Sequence, residues 1–146
     1  MEIKKISMEE TFAVRQPVLR PGRPIEDCFF EYDDHPLSIH ICAELDGKVI
    51  SVLSALPIRS KIYPNLKAMR IRGIATLNQF QRLGYGSQLV RYIEEELGKK
   101  GIELLWLNAR INASKFYIKL GYKPKGDFFN IDGIGIHQKF FKSLIV

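Results

Sequence analysis

The chain has 146 residues, 46% of them hydrophobic and 26% charged, and a formal net charge of +6. This length and composition suit one water-soluble domain with its own apolar core. No apolar run approaches the length of a membrane helix, and the N-terminal residues lack the apolar core of a signal peptide. We therefore expect a single cytoplasmic domain over residues 1–146, with no membrane partner.

The chain begins with a strand and a capped helix. Residues 2–6 have the pattern of a short strand. The sequence Ser7-Met8-Glu9-Glu10 is a capping box, which predicts a helix from here through roughly Gln16. Pro17 is not expected to continue that helix, because proline has no backbone N–H to donate.

The segment after this helix is open to more than one interpretation. Residues 20–24 are rich in turn-forming proline and glycine. They form either a ligand-binding lip that carries Arg20 and Arg23 or a plain solvated loop. Residues 25–35 form either a short apolar helix or a loop that plugs the core.

Three strands are predicted next. Residues 38–45 and 48–56 are strands joined by Asp46-Gly47, a tight-turn dipeptide. After a connecting segment, Ala68 to Thr76 form a central strand that Gly73 interrupts. A glycine inside a strand usually marks a bulge or a close approach of the backbone to another group.

A long helix connects this strand to the next one. Residues 81–100 have apolar side chains at helical spacing, at Leu83, Leu89, Val90, Ile93 and Leu97. Residues 104–109 are almost continuously apolar, as in a central strand covered on both faces. A strand, a helix and a strand in this order form a right-handed crossover, which places strands 68–76 and 104–109 parallel and adjacent.

The C-terminal part contains a short helix and two strands. The helix covers residues 114–120, and residues 122–141 give two strands broken at Gly126-Asp127 and at residues 131–133. Cys28 and Cys42 fit no metal-binding or redox spacing, so no metal is predicted. Cys42 lies in an apolar strand pattern and is expected to be buried. The predicted fold is a mixed β-sheet with helices packed on it.

The turn between the central strand and the long helix has the features of a phosphate site. Gln81-Arg82-Leu83-Gly84-Tyr85-Gly86 leaves N–H groups free at a helix N-terminus, where the helix dipole attracts anions. The turn is not a Walker A loop, and Leu89 replaces the third glycine of a dinucleotide fingerprint. A glycine turn that only packs the helix on the sheet is the alternative.

The charge distribution also favours an anionic ligand. No aspartate or glutamate lies between Val49 and Ile93, whereas seven basic residues do: Arg59, Lys61, Lys67, Arg70, Arg72, Arg82 and Arg91. Such a basic segment suits a polyanion such as coenzyme A. The few aromatic residues of this segment are too scattered to stack bases, which argues against a nucleic-acid partner.

Two motifs together resemble the GNAT superfamily of acetyl-CoA-dependent N-acetyltransferases. The first is Gln-x-x-Gly-x-Gly after a bulged strand and before a long helix. The second is Phe116-Tyr117-x-x-x-Gly121-Tyr122, and the order and spacing over residues 49–122 are similar to GNAT motifs A and B. The resemblance implies an α/β (α+β) fold. Its mixed sheet would have six to seven strands, helices on both faces and splayed parallel strands at the coenzyme A site.

The resemblance also implies which residues bind acetyl-CoA and protonate its thiolate. The backbone beyond Gly73 would pair with the pantetheine arm, and the glycine turn would hold the pyrophosphate. Tyr117 corresponds to the tyrosine that protonates the leaving thiolate. The family asparagine falls at Arg110, so Asn108 or Asn112 would have to replace it. The predicted cofactor residues are Ile74, Ala75, Thr76, Gln81, Arg82, Leu83, Gly84, Tyr85, Gly86, Ser87 and Asn112.

The general base does not follow the family pattern. The family often places a carboxylate on the bulged strand, where this chain has Arg70 and Arg72. His137 on the last strand is our first candidate, and His40, Glu44 or a water relay are the others. A thioester is already activated, so a missing carboxylate does not exclude catalysis.

The predicted function is direct transfer of acetyl from acetyl-CoA to a primary amine of a small molecule or peptide. The alternatives are a non-catalytic GNAT-like domain that binds coenzyme A or a partner, and a basic nucleic-acid-binding domain. Arg20, Arg23, Arg70 and Arg72 would suit an acceptor with a carboxylate or phosphate, provided that they face the cleft. Edge strands near the C-terminus suit pairing in a homodimer.

Overall fold

The computed structural model describes residues 1–145 and has one sheet with helices packed against it. None of the helices in this range is long and apolar enough to span a membrane. Short 3₁₀ turns lie at Ile25–Cys28, Asn78–Phe80 and Ile111–Ala113. The strands and α-helices are β1 (Glu2–Ile6), α1 (Met8–Leu19), β2 (Ile39–Leu45), β3 (Lys48–Leu56), β4 (Ala68–Thr76), α2 (Tyr85–Lys99), β5 (Leu104–Arg110), α3 (Ser114–Lys119), β6 (Lys123–Ile131) and β7 (Gly135–Ser143).

The sheet is mixed, as the sequence predicts. Its strand order is β1-β2-β3-β4-β5-β7-β6, and every neighbouring pair is antiparallel except β4 and β5. The parallel, adjacent pair is the one that the crossover through α2 requires. β6 forms the C-terminal edge of the sheet, where a homodimer through edge strands would have to pair.

β4 and β5 separate soon after they meet. Only Ala68–Arg70 of β4 pair with β5, where their partners are Leu104–Trp106. β5 itself stays paired with β7 as far as Arg110. The second halves of β4 and β5 therefore enclose an open wedge in the middle of the sheet. This wedge confirms the splayed parallel strands that the family resemblance implies.

A bulge on β4 lies beside this wedge. The register between β3 and β4 shifts between Val52 and Ser54, opposite Gly73, whose φ is +69°. A Cβ atom at Gly73 would lie 2.7 Å from Cε2 of Phe30, closer than real Cβ contacts allow. Glycine is required here both by the left-handed backbone and by the buried aromatic ring.

Helices cover both faces of the sheet, as predicted. α2 buries Leu89, Val90, Ile93 and Leu97 against one face, in the larger core cluster. Val14 of α1 packs against the other face in a smaller cluster that includes Cys42, which is fully buried as expected.

Two predicted helix boundaries were wrong. α1 continues through Pro17 to Leu19, although Pro17 has no backbone N–H to donate to the preceding turn. α2 begins at Tyr85 and not at Gln81, because Gly84 takes a left-handed conformation with φ +90°. Leu83 consequently lies in the turn and is 61% exposed, instead of on the buried face of the helix.

Residues 25–35 plug the core, which was one of the two interpretations of this segment. Cys28 and Phe30 are buried against the sheet. The fully buried Arg15 of α1 holds the segment, since its guanidinium makes a two-pronged ion pair with Asp33 at 2.6 and 3.0 Å. The same guanidinium donates to the Cys28 carbonyl and to Oγ of Ser54.

Candidate active site

The turn between β4 and α2 presents free backbone donors. Arg82 and Gly84 both have left-handed backbones, with φ of +64° and +90°. No acceptor within residues 1–145 pairs with the N–H groups of residues 82–87. The Gln81 side chain fixes the start of the turn, because its Nε2 donates to the Thr76 carbonyl at 2.8 Å. These unpaired N–H groups at the N-terminus of α2 form a binding site for anions.

A cavity of about 670 Å³ lies over this turn. Every predicted cofactor residue except Leu83 lines it. The Leu83 side chain is exposed, so only its backbone N–H remains available to a ligand. Val18, Phe80 and Phe116 also line the cavity but were not predicted. The place of Val18 follows from the extra turn of α1 beyond Pro17.

The inner edge of β4 continues from this cavity into the wedge. The N–H of Leu77 donates to the Ile50 carbonyl of β3 at 2.9 Å. Because N–H groups alternate in direction along a strand, those of Ile74 and Thr76 point away from β3, into the wedge. An extended ligand in the wedge can therefore pair with β4 as another strand would.

A second cavity, of about 370 Å³, fills the wedge itself. It adjoins the first cavity, since Val18 and Ile74 line both. Tyr117 and His137, the two predicted catalytic residues, line this second cavity. The structure therefore brings both candidates to the end of the path that begins at the glycine turn.

Tyr117 is held firmly in the wall of the wedge cavity. Its ring lies 6.1 Å from that of Tyr122 and 6.0 Å from that of Phe140, measured between centroids. Burial raises the pKa of Tyr117 to about 12, which keeps its hydroxyl protonated at neutral pH. Lys142 anchors the end of α3 by donating to the Leu120 carbonyl at 2.7 Å. Tyr117 is thus a protonated hydrogen-bond donor on a helix whose end is anchored by Lys142.

His137 has a defined tautomer. Its Nδ1 lies 2.8 Å from the Gly135 carbonyl oxygen, which can only accept a hydrogen bond. Nδ1 therefore carries a proton, and in the neutral form of the ring the free lone pair is on Nε2. The ring stacks on Phe129 at 5.8 Å and is 5% exposed. A neutral histidine with this tautomer can accept a proton at Nε2.

The family comparison matches this architecture. A family model described as the acetyltransferase (GNAT) family covers residues 3–122. The chain belongs to the GNAT family. Acetyl-CoA is the acetyl donor of this family, and the chain is an N-acetyltransferase.

Individual GNAT proteins support the same assignment. The chain is 37% identical over 144 residues to a protein named "Uncharacterized N-acetyltransferase YitI" from Bacillus subtilis, with 99% of this chain and 97% of that one covered. The crystal structure of an aminoglycoside 6'-N-acetyltransferase complexed with coenzyme A matches with a TM-score of 0.78 at 15% identity. The match covers 100% of this chain and 98% of that one. The structure of an IAA acetyltransferase from Bacillus cereus matches with a TM-score of 0.73 at 19% identity, and the match covers 97% of this chain and 98% of that one. The two solved structures establish the similarity of fold.

Two of the alternative bases lie outside the GNAT wedge. His40 is 7% exposed and lines neither cavity. It belongs to the network of Arg15, with Nδ1 2.6 Å from Oγ of Ser54 and Nε2 2.9 Å from the Asp33 carbonyl. Glu44 forms an ion pair with Lys4 at 2.7 Å on the far side of the sheet. Neither residue can reach a substrate in the wedge.

The asparagine of the GNAT pattern has no single replacement here. Arg110 and Asn108 line the wedge cavity, whereas Asn112 lines the cavity over the turn. Oδ1 of Asn108 accepts from Nζ of Lys139 at 3.0 Å. No group of three or more metal-ligating side chains occurs within residues 1–145.

Three of the four predicted acceptor arginines reach the wedge. Arg20, Arg70 and Arg72 line the cavity, while Arg23 is exposed and pairs with Asp27 at 2.7 Å. Burial, together with the neighbouring positive charges of Arg70 and Arg20, lowers the pKa of Arg72 to about 10. Sequence reasoning missed Phe30 as part of this wall, because its contact with the wedge depends on the buried Arg15–Asp33 pair.

Proposed function

We propose that this chain transfers the acetyl group of acetyl-CoA directly to a primary amine. The observation that carries the proposal is the continuity of the two cavities. An anion site at the turn leads along the free edge of β4 to a wedge lined by a protonated tyrosine and by a histidine. This arrangement can bind a long phosphorylated thioester at one end and place its reactive end between an acid and a base.

The residues of the first cavity fit coenzyme A. The free N–H groups of residues 82–87 suit a pyrophosphate, and Gly86 keeps the approach to them open. A Cβ atom at Gly86 would stand 3.5 Å from the Phe116 ring and 3.8 Å from Ile74, two residues that line the same cavity. The outward N–H groups of Ile74 and Thr76 suit the amide-bearing pantetheine arm. Asn112 borders the same cavity.

The chemistry then needs little from the protein besides positioning. When bound, acetyl-CoA supplies an activated acyl carbon, to which the amine nitrogen bonds as the carbon–sulfur bond breaks. His137 accepts the proton that the amine loses, at Nε2, and Tyr117 donates its hydroxyl proton to the departing sulfur. An N–H of the β4 edge near Ile74 donates to the carbonyl oxygen as negative charge develops there.

The acceptor of the structural neighbours is not carried over to this chain. An aminoglycoside bears several ammonium groups, and the wedge of this chain is lined by arginines. The wedge volume of about 370 Å³ favours a small-molecule amine over a folded protein segment. We therefore keep the acceptor class at small amines and infer its chemistry separately below.

The main rival is a GNAT-like domain that binds coenzyme A without catalysis. Tyr117 and His137 favour the enzyme, because a binding domain has no need of an acid and a base in one cavity. Only an enzyme releases free coenzyme A in proportion to an added amine. A ping-pong kinetic pattern would contradict direct transfer, since that pattern requires an acetylated enzyme.

The proposal is tested first by thermal unfolding with acetyl-CoA, with NAD and ATP as controls. A ligand at ~100 times its dissociation constant stabilises a fold by about 2.7 kcal/mol, which raises the melting temperature by several degrees. A shift with acetyl-CoA alone, followed by amine-dependent release of coenzyme A, is the expected result. The absence of any shift at millimolar acetyl-CoA would overturn the proposal.

A further inference from the structure

The wedge cavity is positively charged and contains no compensating carboxylate. Arg20 at the end of α1, Arg70 and Arg72 on β4, and Arg110 on β5 all line it. No aspartate or glutamate is among its lining residues within the part of the chain that the structure describes. The end of α1, β4 and β5 thus bring four positive charges to the border of one small space.

Three of these guanidinium groups lie over aromatic rings. The Arg72 guanidinium carbon lies 4.2 Å from the centroid of the Phe30 ring, and that of Arg20 lies 5.9 Å from it. Arg70 lies 5.4 Å from the centroid of Trp106 on β5. A guanidinium stacked on a ring is held in place while its N–H edges stay free to bind a planar or tetrahedral oxyanion.

These arginines have no ionic partner within residues 1–145. Arg20, Arg70 and Arg72 take part in none of the ion pairs there, in contrast to Arg15 and Arg23. Nε of Arg70 is buried without any hydrogen-bond acceptor. Grouping like charges and leaving a buried donor unpaired are both unfavourable. A bound oxyanion would relieve both.

The phosphates of coenzyme A do not account for this cluster. Arg70 and Arg72 precede the Gly73 bulge, whereas the phosphate turn follows Thr76 and lies in the other cavity. Phe30 separates Arg72 from the fully buried Arg15, so the cluster faces the wedge from the side of the sheet that α1 covers. The cluster is therefore available to a ligand other than the acetyl donor.

We propose that the acceptor is a small amine that also carries an oxyanion, either a carboxylate or a phosphate. Arg72 and Arg70 bind the oxyanion, and the amine then faces His137 across the same cavity. This inference rests on the proposed acetyl transfer. It also excludes polycationic amines as good acceptors, because they would meet the guanidinium groups without any carboxylate to bind them.

Matched pairs of amines test the inference by release of coenzyme A at saturating acetyl-CoA. β-Alanine and its amide form the carboxylate arm, O-phosphoethanolamine and ethanolamine form the phosphate arm, and putrescine is the polycation. In each arm, the anionic member carries the carboxylate or phosphate, and the neutral partner has an uncharged amide or hydroxyl group in its place. We expect kcat/KM for the anionic member of one arm to exceed that of its neutral partner by about 10- to 100-fold, which corresponds to the free energy of one charged hydrogen bond. The arm with the larger ratio identifies the oxyanion. Equal or better turnover of the neutral partners or of putrescine would overturn the inference.

Substitution of one arginine provides the second test. Arg72→Gln should remove most of the preference for the anionic partner by raising its KM, with little effect on the neutral partner. Arg23→Gln is the control, because Arg23 is an exposed arginine outside the cavity that pairs with Asp27, and it should keep the preference. An equal loss for both partners in Arg72→Gln would show a merely structural arginine and would overturn the inference.

A binding measurement separates failure of this inference from failure of the proposed function. If no amine releases coenzyme A, the proposed transferase fails. Thermal unfolding with the same amine pairs, in the presence of coenzyme A, then tests the oxyanion site alone. Stabilisation by the anionic members only would support the site, and the absence of a difference within the pairs would overturn it.

Discussion

At the scale of single residues, Tyr117 combines a packing role with a chemical one. Its ring fills space beside Tyr122 and Phe140, and only its hydroxyl concerns the reaction. Tyr117→Phe keeps the ring and removes the proton donor. We expect kcat to fall at least ~100-fold with acetyl-CoA binding and folding stability nearly unchanged. Steady-state kinetics and thermal shift with acetyl-CoA measure the two effects.

A second tyrosine provides the control for this substitution. Tyr63 packs edge-to-face on Phe141, 5.1 Å between centroids, and lines neither cavity of the site. Tyr63→Phe should leave turnover unchanged. Unchanged turnover in Tyr117→Phe would reduce Tyr117 to a packing residue. Since the Tyr117 pKa is raised to about 12, the wild-type enzyme retains this proton donor at every pH below that value.

His137 allows a prediction in which pH is the variable. His137→Gln removes the lone pair of Nε2, so the amine must lose its proton without a base from the protein. The defect in kcat should shrink as the pH rises, because a growing fraction of the acceptor is already free amine. Rate profiles of the two proteins over the same pH range measure this. A defect of constant size would mean that His137 supports the cavity wall but accepts no proton.

The sequence predicts some of these residues better than others. Tyr117 and the residues of the glycine turn follow from motifs of fixed spacing. The tautomer of His137 depends on a hydrogen bond to Gly135 across a two-residue step of the last hairpin, which no spacing rule specifies. Phe30 joins the wedge only through contacts between distant parts of the chain. Its role therefore could not be predicted from local sequence.

At the scale of elements, the turn and the first residues of α2 act together. Gly86 is helical, without a left-handed backbone, and a Cβ there meets only ordinary contacts at 3.5 Å. Gly86→Ala should therefore keep or raise the free energy of unfolding, by up to ~1 kcal/mol. The same Cβ would obstruct the N–H groups below it, so the affinity for acetyl-CoA should drop. Denaturant unfolding and calorimetric titration test the two opposite effects.

Gly84→Ala is the contrasting variant. Its Cβ would also meet only an ordinary contact, at 3.9 Å from Gln88, but its backbone has φ +90°. The substitution should therefore lower the free energy of unfolding by about 1–2 kcal/mol, in contrast to Gly86→Ala. Equal effects of the two substitutions on stability would contradict this account of the turn.

The predicted end of α1 and the predicted start of α2 were wrong because the residues there, Pro17 and Gly84, are each compatible with two backbone arrangements. The first glycine of Gln-x-x-Gly-x-Gly, Gly84, is compatible with a helix that starts at Gln81 and also with a left-handed residue before Tyr85. The structure has the left-handed residue. Pro17 lacks a backbone N–H, which predicts a helix end, but α1 continues for two residues beyond it. Existence and type of the elements were easier to predict, because apolar periodicity runs over many residues.

At the scale of the whole molecule, the Arg15–Asp33 pair joins α1, the segment before β2 and the sheet. Both side chains are fully buried, so removal of one charge leaves the other without compensation. Asp33→Asn should cost about 3–5 kcal/mol of unfolding free energy. Asp27→Asn is the matched control at a largely exposed pair and should cost below about 1 kcal/mol. Similar losses in the two variants would contradict the assigned role of the buried pair.

The overall topology was accessible from sequence because it follows from order and connection. A strand, a long helix and a buried strand require a parallel neighbour, and hairpin signals place the antiparallel strands beside it. The charge of the wedge was not accessible in the same way. Arg70 and Arg72 are visible in the sequence, but whether they face the cleft depends on the bulge at Gly73 and on the rings behind them.

The short pairing of β4 with β5 divides the sheet into a four-stranded and a three-stranded half. Residues 68–70 and 104–106 form the only strand pairing between these halves within the described chain. Backbone amides of Ile74 and Thr76 should therefore exchange with deuterium as fast as those of a surface loop, although they lie at the centre of a seven-stranded sheet. Occupation of the wedge should slow this exchange, and the same labelling of β2 amides should show no change.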